Sequence, residues 1–325
     1  MIRFIRKILP YHIEFLIIRI IYNILHREFR QKKTSFGTEN KDKTFFVIRR
    51  SSNNTGILSN YHHVMGYIRK AIRKGYIPVV DMENYLTNVN EEGKINGTKN
   101  AWEYYFKQPT EYSLKDVYES ANVILSNGDF PHFECPVTIS AYLNEKTISK
   151  RNKIINNYLQ FNDVTNKHIN AINNIIFPKN KKILGVFIRG TDYIKLKPIG
   201  HPVQPTIEQL IEKIHEFTDE WNFEYIYLVN EEQETHNKFK EVFGDKYIST
   251  NSKRHNNYKE NKLIGEVRFN RKNDRYHTNL DYLTDVVLLS RCDYFIGSIA
   301  NGSGTALEIN GNMYIDKYIF DLGSY

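Results

Sequence analysis

The sequence predicts an α/β protein in which helices cover parallel β-sheets, and three observations lead to this class. Short β-like runs alternate with helical runs along most of the 325 residues, a pattern typical of parallel strands joined by crossover helices. Apolar residues make up 41% of the chain, which is sufficient for a packed core. The basic stretch PKNKK at 178–182 interrupts the alternation, so we expect two such units, at 44–177 and 181–325.

The first unit combines predicted strands with amphipathic helices. A helix is expected at 59–74 because apolar residues from Tyr61 to Ile72 recur at helical spacing, with basic residues on the other face. The elements, in order, are a strand at 44–49, the helix at 59–74, strands at 76–81 and 122–126, and helical runs over about 139–176.

The second unit repeats the alternation, starting from the apolar run ILGVFIR. A helix is expected to open at Pro205 and Thr206, because Thr206 and Gln209 have the spacing of a capping box. Its expected core face consists of Ile207, Leu210, Ile211, Ile214 and Phe217. The other elements are strands at 183–189, 223–229 and 293–297, a helix at 280–291, and a helix from about 303 after a Gly-rich turn.

Composition excludes several classes of protein. Two cysteines, Cys135 and Cys292, cannot form a disulfide framework and are typical of a reducing compartment. No apolar run approaches the roughly 20 residues of a membrane-spanning helix. The start of the chain carries no cleavage site of the A-x-A type, so secretion is not expected. We therefore expect a cytoplasmic protein.

The positive charge is concentrated at the start of the chain. The net charge is +8, and residues 1–33 carry eight Lys or Arg but two Glu, so a nucleic-acid-binding surface over the body is not expected. The Ile-rich segment 11–30 has helical spacing, and 31–43 is expected to be a linker. This basic helix either lies on an anionic membrane surface, making the protein peripheral at the inner face, or packs on the body.

Two motifs place charged side chains directly after predicted strands. In GVFIRGTDY, Arg189 and Asp192 follow one strand, and in YIYLVNEEQE, Glu231 and Glu232 follow the next. Ligands of open α/β sheets bind at the carboxyl ends of strands, where a guanidinium can clamp a phosphate. Asp192 could orient that guanidinium or transfer a proton, and the glutamates could act as a base or contact a ribose. The alternatives are an ordinary Arg–Asp pair in a turn and a solvated helix start.

The turn after the strand at 293–297 combines glycines with small polar side chains, in the run SIANGSGT. Glycines permit close approach of a ligand, and a helix N-terminus attracts a diphosphate through its N–H groups and dipole. The simpler interpretation is a helix cap. No Gly-Lys-Ser/Thr follows, so the turn is not a P-loop. The candidate binding residues here are Ser298, Asn301, Gly302 and Ser303.

A fourth motif, TGILSNYHHV, has Gly56 and Asn60 in a loop entering the helix that carries His62 and His63. Adjacent helical residues point about 100° apart, so a shared metal is not expected, and at least one histidine is expected to pack or cap. The sequence also lacks Asp-x-Asp, zinc-type spacing and Gly-x-Ser-x-Gly, so neither a metal cofactor nor a serine nucleophile is expected. The aromatic run around Trp102 is expected in the core rather than as a sugar-stacking platform.

Taken in this order, these motifs resemble the fucosyltransferase superfamily, which includes the core α1,6-fucosyltransferases, the bacterial nodulation fucosyltransferases and the protein O-fucosyltransferases. The resemblance covers roughly residues 44–310. The matching pieces are Gly56, Asn60 and the His62-His63-Val64 helix start; AWEYYFKQP for Trp-Glu-x-x-Phe-x-Pro; FIRGTD for His-x-Arg-x-Thr-Asp; Asn230-Glu231-Glu232 for Thr-Asp-Asp; and YLTDVVLLSRCDYFIGSIANGSG for the last helix, strand and Ser-rich turn.

The resemblance implies a GT-B-like pair of Rossmann-type domains facing a cleft, and inverting, metal-independent glycosyl transfer from a nucleotide sugar. By resemblance, Arg189 would hold the β-phosphate and Asp285 would contact the base. Ser298, Asn301, Gly302 and Ser303 would cradle the nucleotide, and Gly56, Asn60, His62 and His63 are further binding candidates. The implied donor is GDP-fucose. The implied acceptor is a glycan or lipid-linked oligosaccharide in bacterial surface polysaccharide synthesis.

Three departures from the family pattern keep alternatives open. Phe187 stands where the family has His, which favours another nucleotide sugar as donor. Gly190 replaces a second Arg, and no carboxylate occurs between Tyr193 and Ile207, so Glu231 and Asp192 remain as candidate bases. An alternative of another class is a catalytically silent protein that binds a sugar or nucleotide.

Overall fold

The computed structural model describes residues 20, 24, 27–51, 55–129, 134–197, 201–256 and 268–325, without the side chains of Thr191 and Asp192. It confirms the predicted α/β class, because two largely parallel sheets lie in succession along the chain, one on each side of the stretch 178–182. A cleft opens between the two units, as expected for a GT-B-like arrangement.

The first sheet has the strand order β1-β4-β2-β3. Its strands are β1 (Lys32–Thr34), β2 (Phe45–Ile48), β3 (Ile77–Val80) and β4 (Val123–Leu125). β2 pairs in parallel with β3 and β4, whereas β1 pairs antiparallel with β4. The expectation of a linker over 31–43 is therefore wrong at β1. Its residues are polar because they lie at the sheet edge, where charged side chains protect an open strand, so they carry no apolar signal.

The second sheet is entirely parallel, with the order β7-β6-β5-β8-β9. Its strands are β5 (Ile183–Phe187), β6 (Tyr225–Val229), β7 (Tyr247–Ile248), β8 (Tyr294–Ser298) and β9 (Asp316–Phe320). β5, β6 and β8 were expected from their apolar runs, and their residues are almost all buried. The two edge strands β7 and β9 are more exposed and were not predicted.

Helices cover both sheets. They are α1 (Ile57–Arg73), α2 (Leu114–Tyr118), α3 (Ile139–Leu143), α4 (Glu145–Tyr158), α5 (Asp163–Ile176), α6 (Thr191–Leu196), α7 (Ile207–Thr218), α8 (Gln233–Phe243), α9 (Asp274–Leu289) and α10 (Asn301–Asn310). The expected capping box of α7 is confirmed: Thr206 Oγ1 accepts from Gln209 N–H, and Gln209 Oε1 accepts from Thr206 N–H. Ile72 of α1 was expected to face inward but is exposed.

The main hydrophobic core belongs to both units. It contains Phe46 and Trp102 from the first unit together with Phe187, Leu283 and Leu307 from the second. Helices α4 and α5 precede the stretch 178–182, yet they pack against α10 and α9 of the second unit. The aromatic cluster is part of this core, as expected, and is not a sugar-stacking platform: Trp102, Tyr104, Tyr105 and Phe106 are fully buried.

A charged cluster lies inside this shared core. Glu308 of α10 accepts from Arg151 Nη1 of α4 at 2.6 Å, and its other oxygen lies 3.2 Å from His62 Nε2 of α1. None of these three side chains is exposed to solvent. Burial alone would raise the pKa of Glu308, but His62 and Arg151 together lower it below its usual value. This Glu308 ion cluster joins helices of the first unit to a helix of the second.

Most of the expected helix at 11–30 lies outside the described residues. At its end, Arg27–Phe29 form one turn of 3₁₀ helix. Within the part of the chain that the structure describes, no helix has the length and apolar character needed to cross a membrane.

Candidate active-site cleft

The cleft lies where the carboxyl ends of the second sheet face the first unit. The cleft is open to solvent along one side. Residues that follow three neighbouring strands line the cleft: Arg189 follows β5, Glu231 follows β6, and Ala300 and Asn301 follow β8. The remaining lining residues are Gly56, Ile57, Leu58, Ser59, Asn88, Val89, Tyr193, Arg268, Arg275, Thr278, Asn279 and Tyr282.

Arg189 and Glu231 form an ion pair in the cleft. Arg189 Nη1 donates to Glu231 Oε2, and the two side chains are 15% and 25% exposed, so water reaches both. The guanidinium carbon also lies 5.1 Å from the centre of the Tyr193 ring. A carboxylate and an aromatic face therefore hold the arginine at the cleft, and a guanidinium is a group that binds anions.

Two helices point their N-termini into the cleft. Gly56 is the N-cap of α1 and Ala300 is the N-cap of α10, and neither residue has a side chain that can accept a hydrogen bond. The first N–H groups of a helix need acceptors, and together with the helix dipole they favour a bound anion. The cleft thus combines an arginine with two helix N-termini.

Two further arginines line the side of the cleft formed by α9. Arg275 Nη1 donates to the Asn90 carbonyl at 2.9 Å, and Arg268 Nη2 donates to Asn88 Oδ1 at 3.2 Å. Both acceptors lie in the loop that follows β3, so these contacts cross from the second unit to the first. They give the cleft a net positive lining, which suits an anionic substrate.

This side of the cleft was not predicted, because the apolar pattern places the start of the helix at residue 280. The helix begins at Asp274, and Arg275, Thr278, Asn279 and Tyr282 lie on one face. Their spacing is i, i+3, i+4 and i+7, so a helical period of polar residues was the available signal. Asn88 and Val89 lie in a long loop and gave no comparable signal.

Of the predicted site residues, Arg189, Glu231, Gly56 and Asn301 meet in the cleft. The role of each remains a prediction. The side chain of Asp192 lies outside the described part of the structure, so its place relative to Arg189 stays open.

Three predicted binding residues of α1 lie below the cleft surface instead. Asn60 is fully buried and accepts from Arg50 Nη1 at 2.8 Å. His62 belongs to the Glu308 ion cluster. His63 Nε2 lies 3.0 Å from the Arg49 carbonyl, and burial lowers the pKa of His63 well below its usual value, so the ring is neutral. The structure does not bring these three side chains to the cleft, because α1 turns that face toward the core.

Most of the Gly-rich turn also packs against protein. Ser303 Oγ accepts from Ala300 N–H at 2.9 Å and donates to the Ser298 carbonyl at 2.6 Å, so it closes the helix start in the way a cap does. The Ser298 hydroxyl donates to Gln204. Gly302 is buried against aromatic rings: a Cβ atom there would lie 2.6 Å from the Phe187 ring. Ser303 therefore acts as a helix cap, which is the simpler of the two predicted interpretations of this turn.

Asp285 is enclosed by hydroxyl groups rather than open to the cleft. It is 7% exposed, and its Oδ1 accepts from Thr250 at 2.5 Å, from Tyr227 at 3.2 Å and from Ser252 at 3.3 Å. Burial raises the pKa of Asp285 to about 6, although the hydrogen bonds from Thr250 and Ser252 and the charge of Arg254 oppose this. Its predicted contact with a nucleotide base would need one of these hydroxyl groups to move.

No group of three or more His, Cys, Asp or Glu side chains is arranged to hold a metal ion among the residues that the structure describes. The cleft lining includes three arginines and one carboxylate, Glu231, together with hydroxyl and amide side chains, and guanidinium groups are suited to binding anions.

Comparisons with known proteins give structural similarities only. No protein-family model matches the sequence, and no curated protein matches it. The fold is similar to that of the fucosyltransferase NodZ from Bradyrhizobium, with 13% identity over 86% of this chain and 96% of that chain and a TM-score of 0.48. It is also similar to POFUT1 in complex with GDP, with 12% identity over 86% and 99% of the two chains and a TM-score of 0.47. A NodZ α1,6-fucosyltransferase soaked with GDP-fucose gives 14% identity, 78% and 88% coverage and a TM-score of 0.46.

Proposed function

We propose that the protein is a glycosyltransferase that takes a sugar from a nucleotide donor, with inversion and without a metal ion. One observation carries the proposal: Arg189 and Glu231 meet at adjacent strand ends, in a cleft that two helix N-termini also face. A departing diphosphate needs positive charge and aligned N–H groups, and an acceptor hydroxyl needs a base. The cleft holds groups of both kinds.

The chemistry assigned to these residues is a single displacement. The acceptor hydroxyl oxygen attacks the anomeric carbon on the face opposite the phosphate. The carbon–oxygen bond to the phosphate breaks, and its electron pair leaves with the diphosphate. Arg189 and the N–H groups of α1 and α10 stabilise the charge that develops on this leaving group. Glu231 takes the proton of the acceptor hydroxyl, and Asp192 is the second candidate for that role.

We further propose GDP-fucose as the donor and a glycan or lipid-linked oligosaccharide of bacterial surface polysaccharide synthesis as the acceptor. The four-motif resemblance to the fucosyltransferase superfamily supports both assignments. The basic segment 1–33 would then place the enzyme at the inner, anionic face of a membrane where lipid-linked acceptors are found.

A second candidate is the same reaction with another nucleotide sugar, and Phe187 favours it. The family has a histidine at this position, whereas Phe187 offers no hydrogen bond and is buried against Gly297 and Gly302. Phe187 therefore cannot supply a polar contact that a histidine could make at this position, and this favours a donor other than GDP-fucose.

A screen of nucleotide sugars tests the proposal. Purified protein is incubated with GDP-fucose, GDP-mannose and a set of UDP-sugars, with and without EDTA, and nucleoside diphosphate release is measured. Turnover of GDP-fucose supports fucosyl transfer, and turnover of another donor supports the second candidate. Binding without turnover by any donor indicates the silent binding protein instead. If chelation abolishes turnover and Mn²⁺ restores it, the metal-free mechanism is wrong.

The membrane assignment has its own test. The full chain should bind vesicles containing anionic lipid at low salt, and deletion of residues 1–33 should weaken that binding while leaving affinity for the donor nucleotide unchanged. Absence of vesicle binding by the full chain at low salt contradicts the assignment.

A further inference from the structure

Asn230 lies between the two strand ends that carry Arg189 and Glu231. It follows β6 directly and is 5% exposed. Its Nδ2 donates to the Ile188 carbonyl at 3.0 Å, and its Oδ1 accepts from the Glu232 N–H at 2.7 Å. Ile188 precedes Arg189, and Glu232 follows Glu231. One amide side chain therefore joins the two turns that present the ion pair.

The Asn230 side chain adds a hydrogen bond just beyond the point where the backbone pairing of β5 with β6 ends. The last paired residues of β5 and β6 are Phe187 and Val229. One longer bond follows, from Ile188 N–H to the Val229 carbonyl at 3.4 Å. The Nδ2 group of Asn230 supplies one more bond across to the Ile188 carbonyl, while its Oδ1 accepts from Glu232 N–H within the turn after β6.

The backbone of Asn230 is held from the opposite side by a buried histidine. His236 Nε2 donates to the Asn230 carbonyl at 2.9 Å, and its Nδ1 accepts from the Tyr247 hydroxyl at 2.5 Å. Burial lowers the pKa of His236 to about 3, with a smaller contribution from Arg254, so the ring is neutral at physiological pH. A neutral ring has one donor and one acceptor nitrogen, and both are used here.

We propose that Asn230 is a positioning residue that places the Glu231 carboxylate against the Arg189 guanidinium. Its side chain fixes the distance between the turns after β5 and β6, and this distance decides whether the carboxylate reaches the guanidinium. The activity readout rests on the proposed function, because it takes Glu231 as the base. The geometric readout does not, because the ion pair is a feature of the structure itself.

The test compares single and double variants of Asn230 and Glu231. Each is assayed with a donor that the wild-type protein turns over. Asn230→Ala should lower kcat by roughly 10- to 100-fold, while the KM of the donor changes by less than about threefold, since misplacing a reacting group by a small distance costs rate rather than binding. In an E231Q background the same substitution should change kcat by less than about twofold, because the group being positioned is already lost.

A matched control separates positioning from general destabilisation. Asn310, at the end of α10 remote from the cleft, makes the same kind of bridge: its Nδ2 donates to the Ser290 carbonyl at 2.9 Å, and its Oδ1 accepts from the Met313 and Tyr314 N–H groups. Asn310→Ala should lower thermal stability to a similar extent but keep kcat within about twofold of the wild-type value.

Asn230→Thr retains a hydroxyl that can make one of the two bonds and should give an intermediate kcat. It also serves as the test variant if Asn230→Ala does not fold.

Three results would overturn the proposal: a folded Asn230→Ala protein with wild-type kcat, an equal loss of kcat with and without Glu231, or an equal loss in the Asn310 control. If the wild-type protein turns over no donor, the proposed function fails, and crystal structures of the wild type and Asn230→Ala decide the inference. Loss of the Arg189–Glu231 contact in the variant then supports positioning, and its retention refutes it.

Discussion

Gly302 packs directly against the ring of Phe187. A Cβ atom at residue 302 would lie 2.6 Å from Phe187 Cε2 and would also meet the Tyr282 hydroxyl, and the contact with the buried Phe187 ring is too short for a side chain. The glycine was predicted to let a ligand approach the backbone. In the structure it lets the Phe187 ring approach instead.

The first prediction follows from this contact. Gly302→Ala should lower the free energy of unfolding by about 1–3 kcal/mol, because the buried Phe187 ring has to shift. Phe187→Leu in the same chain should restore part of the loss. Gly93→Ala, where a Cβ atom would have nothing within 4 Å, is the control and should change stability by less than about 0.5 kcal/mol. Urea unfolding measures all three, and equal midpoints for the two glycine variants would contradict the packing argument.

The second prediction concerns Arg189. Arg189→Ala should lower the rate of transfer by about 10²–10³-fold while leaving the circular dichroism spectrum and melting temperature near those of the wild type. Lysine should rescue poorly, since a point charge does not reproduce the planar set of donors. Arg73→Ala, which removes an exposed ion pair with Glu134 at the far end of α1, should leave the rate unchanged. Near wild-type turnover by folded Arg189→Ala protein would remove Arg189 from the mechanism.

The third prediction concerns the Glu308 ion cluster. Arg151→Met should destabilise the fold by about 3–5 kcal/mol, because it leaves a buried carboxylate without its closest partner. Adding Glu308→Gln should recover part of this loss, since the uncompensated charge is then gone. The exposed pair Lys181–Glu224 provides the comparison, and Lys181→Met should barely move the unfolding midpoint. If Arg151→Met is as mild as Lys181→Met, the cluster is not a significant source of stability.

The fourth prediction concerns pH and Asp285. Its pKa in the folded protein is about 6, above the ordinary value of 3.8, so the folded state binds a proton that the unfolded state has lost between these two values. The contribution of Asp285 to the free energy of unfolding is therefore fully present below about pH 4 and is lost as the pH rises through 6. The total loss is about 3 kcal/mol. Asp285→Asn cannot ionise. Its stability relative to wild type should increase from pH 4 to pH 8, and a constant difference across that range would refute the shifted pKa.

Apolar runs predicted the buried strands well because their signal is local. β5, β6 and β8 are nearly continuous runs of buried residues, and the α7 capping box depends on residues three apart. Arg189 and Glu231 could be predicted to meet because parallel strands end at one edge. In contrast, His62 and Glu308 are 246 residues apart, and no local pattern links them. His62 was therefore interpreted as a ligand contact when its partner is a helix of the other unit.

The shared core and the Glu308 ion cluster limit how freely the two halves of this chain can be recombined. A chimera that joins residues 1–180 to the second half of another protein would carry Arg151 and His62 without the Glu308 carboxylate that contacts both, and would leave the inner faces of α4 and α5 uncovered. Swapping whole halves is therefore expected to destabilise the fold where the two units meet. Grafting only the cleft-lining residues of α9 and of the loop after β3 would keep the contacts between the two units intact.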